Sequence, residues 1–331
     1  MHTLTTDMTT RCVGRYLIDL PKSMKLNDQY RVVIEDVLVA ITPTNQRQFQ
    51  YQVEQREQEL RGMTLYGQDD VPFLKKIERL PEPHTVRVFN RAESQGGADF
   101  GRTLELHGLK DGYYIRMDIN AEDSSDPKYD NDPGIRSFGN NTSEKLQHLL
   151  NLFSRARGRK DDEVPATQGT CIPNGFISGP ATLKEDIGVA YELAEDVWLG
   201  FDSFTIPESN TLLDRAKDIQ WGEQENEGRT VRQGRRESKD GVRFEEWLSA
   251  LRTHSHVMGH EFALEANSKT GSAKSPRINI DLNNGLRAPR PERPYDSPEP
   301  PAIEKASLSE AEAVALWDAI TNTLRPRPGA F

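Results

Sequence analysis

Apolar residues fall in short bursts between long polar stretches along this chain, and their spacing tells strands from helices. Two bursts open with the only cysteines, Cys12-Val-Gly-Arg-Tyr-Leu-Ile-Asp-Leu-Pro21 and Cys171-Ile-Pro-Asn-Gly-Phe-Ile-Ser-Gly-Pro180. Each carries an early glycine, an apolar run and a closing proline, the pattern of a core strand that stops sharply. A β-branched run over Tyr30 to Ile41 predicts a second strand of the first half. The segment Asn45 to Arg61 has Phe49, Val53 and Leu60 at helical spacing and Gly62 at the capping position, so it predicts a helix with a narrow buried stripe. Further strands are expected over Phe73 to Leu80 and Thr85 to Asn90, and a hairpin over Arg102 to His107 and Tyr113 to Asn120, turning through Gly108 to Gly112. A helix from Ser143 to Arg157, with Leu146, Leu149, Leu150 and Phe153 on one face, closes this half.

The second half repeats the style. Strands are predicted near Cys171 to Ile177, Ile187 to Leu193 and Val197 to Phe204, followed by a short helix from Ser209 to Asp218. A ribbon from Arg229 to Glu237 turns at Asp240-Gly241 into Val242 to Leu248, and strands follow at His256 to Ala266 and Arg277 to Leu282. The proline-rich stretch Ala288 to Pro301 cannot join a sheet ladder and is expected to run extended over a surface. The chain ends in its clearest helix: Ser309 and Glu312 read as a capping box, and Ala313, Leu316, Trp317, Ile320 and Leu324 form one stripe. Consecutive strands with packed helices imply an α+β fold in each half, mainly antiparallel. The expected boundaries are residues 1–158 for the first lobe, 159–167 for a charged linker, and 168–331 for the second, with its closing helix over 309–325.

Composition narrows the function classes. A chain of 331 residues exceeds one ordinary core and suggests two domains. The net charge of −10 repels phosphate backbones at long range, so no nucleic-acid role is expected and a basic partner is favoured. No run of about 18 apolar residues encodes a membrane span. The first eleven residues lack the basic start and apolar centre of a secretory signal, which leaves a cytoplasmic location open. Two cysteines, one per half, allow either a single bridge tying the lobes or two buried thiols.

Candidate chemistry is sparse. His254, His256 and His260 would share one face of a continuous strand and form a metal surface, but Gly259 breaks the regularity, and Leu264 departs from the helical His-Glu-x-x-His pattern. Polar strand and loop histidines are the plainer reading. Gly175-Phe-Ile-Ser178-Gly179 sets its serine one position late for a nucleophile elbow, and the glycines at 96, 97 and 101 lack a P-loop lysine. No catalytic residue and no cofactor is therefore expected. The acidic passage with Asp123, Asp126, Asp130 and Asp132 does not match a calcium loop. It reads as a solvated loop or as an acidic contact for a basic partner surface. The arginines at 229, 232, 235, 236 and 243 read first as a solvated face of the ribbon, with partner contact as the second reading and nucleic acid a distant third. Trp221 and Phe100 are candidates for apolar partner contact, against the commoner reading of core aromatics.

Four segments carry a family resemblance: Cys12 to Pro21, the Arg56-Glu-x-Glu-Leu60 end of the first helix, Gly169-Thr-Cys-Ile-Pro-Asn-Gly-Phe-Ile177, and the tail Leu308 to Ile320 continuing from Leu324 to Phe331. The chain resembles the two-domain immunity proteins that neutralise type VI secretion lipase effectors, paired with an α/β-hydrolase phospholipase toxin. The resemblance implies a non-enzymatic inhibitor, monomeric when free, whose two lobes act as a clamp on the lipase lid or active-site entrance. It also implies a periplasmic site of action, where a Cys12 to Cys171 bridge would lock the lobes. The alternatives are an orphan binding or scaffold protein and, behind it, a metal protein using the histidine cluster.

Overall fold

The computed structural model describes residues 2–80, 85–290 and 301–331. These residues are 22% helical and 43% strand, with mainly antiparallel sheets, so the α+β expectation holds. Two compact units emerge: Met1–Glu35 with Asp161–Pro173 and Gly179–Phe331, and Asp36–Lys160 with Asn174–Ser178. The first 35 residues thus fold with the second half of the chain.

The larger unit is built on an antiparallel sheet in the order Arg229–Glu237, Arg243–Arg252, Met258–Ala266, Arg277–Asn284, Val197–Phe204, Glu185–Ala194 and Arg31–Ile34. Period-two alternation puts Leu248, Phe262, Leu282 and Leu199 in one cross-strand row and Leu264, Ile280 and Phe201 in the next, all buried. The helix Glu310–Thr321 covers this face. Its capping box forms as expected, and Ala313, Leu316, Trp317 and Ile320 are buried, with Trp317 edge-on to Phe262 at 5.9 Å. Buried Glu246 fixes the dock: it accepts from the Trp317 indole at 2.9 Å and from Arg232, while Arg232 and Arg236 both reach Asp318 at 2.5 Å. Arg232 and Arg236 are therefore not a solvated face; they pin the closing helix to the ribbon. Arg235 and Arg243 remain exposed.

The segment Cys12 to Pro21, expected as one strand, is instead split at Gly14 between the two strands of a hairpin, Met8–Val13 and Tyr16–Pro21. Its turn uses Gly14 at φ 57°, where a Cβ would come within 3.0 Å of the Ser203 hydroxyl. The run Tyr30 to Ile41 also divides. Arg31–Ile34 and Val37–Pro43 are separated by Glu35 and Asp36, both left-handed at φ 52° and 69°, and the boundary between the units falls there.

The smaller unit is an antiparallel sheet in the order Val37–Pro43, Tyr113–Glu122, Gly101–Lys110, Thr85–Ala92 and Leu74–Leu80. The expected hairpin turns at Asp111 and Gly112, both at positive φ. The helix Gln46–Arg61 starts at an Asn45 side-chain cap and ends at Gly62, burying Phe49, Val53 and Leu60 against Phe73, Phe89 and Ala92. The helix Thr142–Arg155 buries Leu149, Leu152 and Phe153, so its stripe lies one step round from the expected one and Leu146 and Leu150 are only half-buried. It lies close on Gly101–Lys110 because position 108 is glycine; a Cβ there would strike the Phe153 ring. Residues 291–300 of the proline-rich stretch lie outside the described residues.

Candidate functional site

The segments that carry the family resemblance become packing centres. In the larger unit, Gly14 and Cys171 exchange two backbone hydrogen bonds of 2.8 and 2.7 Å, and the Cys12 and Cys171 side chains are disulfide-bonded with their Cα atoms 5.7 Å apart. Both cysteines belong to this one unit, which corrects the expectation of a bridge tying two lobes: the bond joins the N-terminal hairpin to Gly169–Ile172. Around it the chain's end is built in. Arg15, 2% exposed, forms a two-pronged pair with Glu185 (3.1 and 2.7 Å), donates to the Ala330 carbonyl and lies over the Phe331 ring. Arg327, 1% exposed, donates to the carbonyls of Pro165, Thr167 and Gly169. Three distant stretches of sequence thus share two buried guanidinium groups.

In the smaller unit the centre is Glu105, 0% exposed, on the face under the helix Gln46–Arg61. Arg56 from the resemblance motif grips both carboxylate oxygens at 2.7 and 2.9 Å, and Arg91 adds a third contact at 2.9 Å. The His107 Nε2–H donates to Glu105 at 3.0 Å, because a carboxylate only accepts, and Nδ1 is hydrogen-bonded with the Tyr114 hydroxyl at 2.5 Å. Burial alone would push the Glu105 carboxyl up, but the bonds from Arg56 and His107 and the nearby Arg116 charge overcome it and hold the group far below the usual carboxylate range. Tyr114 is pushed up by its own burial. The arrangement is a satisfied ion cluster without a nucleophile or an open position, which suits fixing a helix to a sheet rather than catalysis.

The surface candidates are distributed. The acidic passage shapes itself: Asp126 accepts from the Lys128 amide and Asp132 from the Ile135 amide, each capping a short helical turn. Asp123 accepts from Asn140 at 2.8 Å, and Asp130 pairs with Arg136 at 3.2 Å. Beside the passage Phe100 stacks on the exposed Phe138 with ring centroids 4.8 Å apart, and Tyr129 meets Phe100 edge-on. Trp221 stands 66% exposed on the helix Ala216–Glu225. This helix begins later and runs further than the predicted Ser209 to Asp218, since its Gln- and Glu-rich end hides the periodicity.

The histidines separate. Only His260 lies in a strand, bonded to Asn284 at 2.8 Å; His256 is a turn residue at φ 62°, and His254 precedes it outside the ladder. The continuous strand that would align all three does not form. Among the described residues no set of three His, Cys, Asp or Glu side chains is placed to hold a metal ion.

With this geometry in place, the comparisons with known proteins decide the family. Residues 9–159 match the Tle cognate immunity protein 4 N-terminal domain, and residues 163–329 match the C-terminal domain. The chain belongs to the Tle cognate immunity protein 4 family. It is an immunity protein that binds a cognate lipase effector of type VI secretion, and it is not an enzyme. Comparison with curated proteins finds no match. Among solved structures, the crystal structure of the Tle4–Tli4 complex contains a chain 22% identical, with a TM-score of 0.71, covering 98% of this chain and 99% of that one. The apo structure of the immunity protein TplEi of the type VI secretion system from Pseudomonas aeruginosa is 21% identical with the same TM-score and the same coverage. A structure of TplEi complexed with an "L" peptide follows at 21% identity and a TM-score of 0.66, again covering 98% and 99%. These likenesses show the fold. Among the described residues no helix is long and apolar enough to cross a membrane.

Proposed function

We propose that this immunity protein inhibits its effector by occupying the lid or the active-site entrance, so that phospholipid does not reach the catalytic serine, and that it does so in the periplasm. The observation that carries the reading is the ordered match of both immunity domains over nearly the whole chain. A neighbour in fold, solved in a Tle4–Tli4 complex, supports direct contact as the mode of action. The Cys12–Cys171 bond favours an oxidising compartment. Tight inhibition needs preorganised, well-packed anchors. The self-capped acidic passage with Asp123, Asp126, Asp130 and Asp132 is proposed as the encounter surface, and Trp221 as an apolar contact.

Co-purification with the lipase-like product encoded beside it, followed by a phospholipase assay, tests this. A stable complex with hydrolysis suppressed at equimolar ratio is the expected result. Binding without suppression would reject occlusion of the active site, and no complex with any neighbouring lipase would leave an orphan binding protein. Reversing Asp130 to Lys should slow association at low salt, where exposed charges steer encounter; an unchanged association rate would remove the passage from the encounter surface.

A further inference from the structure

The large sheet of the first unit has one apolar face under the helix Glu310–Thr321 and a second face that is polar and acidic. Register fixes the rows of that second face. Ser249, Glu261, Asn283 and Trp198 lie side by side; Trp247, Ala263, Asp281 and Gly200 form the next row; Glu245, Glu265, Asn279 and Asp202 form the third. The helix Ala216–Glu225 crosses over part of the face and leaves a cavity of about 480 Å³ beneath it, lined by Trp198, Trp247, Glu261 and Asp281 and also by Arg215, Arg252 and His254; Arg215 is already paired with Glu265 and Arg252 with Glu227. This volume is in the range of sites that hold a small group or one long side chain.

The carboxylates on this face fall into two sets. Glu265 pairs with Arg215, Glu245 with Arg235 at 3.1 Å, and Glu223 is consumed by the Trp247 indole at 2.9 Å and the Ser249 and Thr230 hydroxyls. Asp281, Glu261 and Asp202 have neither an ion pair nor a hydrogen bond among the described residues. Burial pushes Asp281 up to about 7, aided by the charges of Asp202, Glu265 and Glu261 and opposed by Arg215. Burial and the Asp186 charge raise Asp202 to about 6, and burial raises Glu261 against the pull of His254. Folding therefore gathers three carboxyls, two of them in the cavity, against their own repulsion, while the arginines of the lining are engaged by Glu265 and Glu227, a cost characteristic of a site awaiting a partner. By contrast, Glu105 in the other unit, though more deeply buried, is fully matched.

We propose that this cavity receives one arginine side chain of the effector, its guanidinium held between Glu261 and Asp281 and laid against Trp198. The inference rests on the immunity reading and names the partner's chemistry at one surface. Glu261 and Asp281 sit on adjacent strands at diagonal positions, suited to a planar cation with several donors, and an indole wall favours guanidinium over ammonium. Arrival of the cation also supplies the charge that the cluster lacks, so part of the binding energy comes from relieving repulsion already present in the free protein.

The test uses the full chain and two measurements. First, the Trp198 and Trp247 indole resonances are followed while N-acetyl-arginine amide is added, with N-acetyl-citrulline amide as the uncharged control. Saturable arginine shifts, abolished in the Asp281→Asn, Glu261→Gln double variant, are expected; equal responses to the two probes overturn the proposal. Second, the effector affinity of the double variant is compared with wild type. A loss of about tenfold or more with an unchanged or higher melting temperature is expected. Wild-type binding with no loss in the variant overturns the arginine site and leaves the immunity reading intact. Failure of wild type itself to bind the effector overturns that reading, and the probe titration then decides the cavity alone.

Discussion

Breaking the Cys12–Cys171 bond should destabilise one unit and spare the other. The bond closes a loop of 159 residues, for which the chain-entropy relation gives about 5 kcal/mol. That loop contains residues 36–160, a unit with its own core. If that unit stays folded while the larger one opens, only roughly 33 residues of the loop gain freedom and the loss falls to about 4 kcal/mol. Both cysteines are nearly inaccessible, at 2% and 0% exposure, so the Cys12→Ala, Cys171→Ala variant is a cleaner perturbation than reduction. All four tryptophans, Trp198, Trp221, Trp247 and Trp317, belong to the larger unit, so indole fluorescence in urea reports that unit alone. With a denaturant slope of about 2–3 kcal/mol/M, the midpoint should fall by about 1.3–2 M. Hydrogen exchange should accelerate in Met8–Val13, Tyr16–Pro21 and Gly169–Ile172 and stay unchanged in Gly101–Lys110 and Tyr113–Glu122. A midpoint shift below about 0.5 M, or equal loss of protection in both units, would refute the reasoning.

Glu105→Gln leaves Arg56, Arg91 and the His107 donor facing a neutral amide, and should cost about 3–5 kcal/mol in the smaller unit, read by thermal unfolding of its exchange-protected amides. A loss under about 1 kcal/mol would show that the cluster is dispensable. The raised folded-state pKa of Asp281, near 7, means that the folded chain retains a proton which the unfolded chain releases near pH 4. This contribution is fully present below about pH 4 and is lost as pH rises to about 7, so Asp281→Asn should stabilise by about 2–4 kcal/mol at pH 8 and by almost nothing at pH 4. Equal stabilisation at both pH values would exclude titration as the cause. Gly158→Ala would drive a Cβ into the Tyr113 ring, and a stability loss of about 1–3 kcal/mol in denaturant melts is expected; a neutral result would mean that Tyr113 simply swings aside.

Local signals carried well from sequence to structure wherever the chain's immediate neighbours decide the outcome. The helix Gln46–Arg61 with its Asn45 cap and Gly62 stop, the Asp111-Gly112 hairpin and the Ser309–Glu312 capping box all depend on residues within a few positions of one another. Long apolar runs were less legible. Hydrophobicity does not mark where Val13 to Leu20 turns at Gly14 or where Tyr30 to Ile41 breaks at Glu35 and Asp36, because both strands of each pair bury the same residue types. The resemblance motifs identified the family, yet their physical roles lay elsewhere in the chain: Arg56 is defined by Glu105, Arg15 by Glu185, and Arg327 by three carbonyls 158 to 162 positions away.

Sequence alone determined the α+β class and most elements, since propensity, capping and periodicity are written locally, while the immunity family was reached through the resemblance of four motifs. Tertiary structure decided that Cys12 and Cys171 share one unit, that Arg232 and Arg236 pin the closing helix, and that Asp202, Glu261 and Asp281 converge on one sheet face. These are consequences of strand order and register. A one-residue slip would send every one of those carboxylates to the opposite face, and no local pattern records which strands become neighbours.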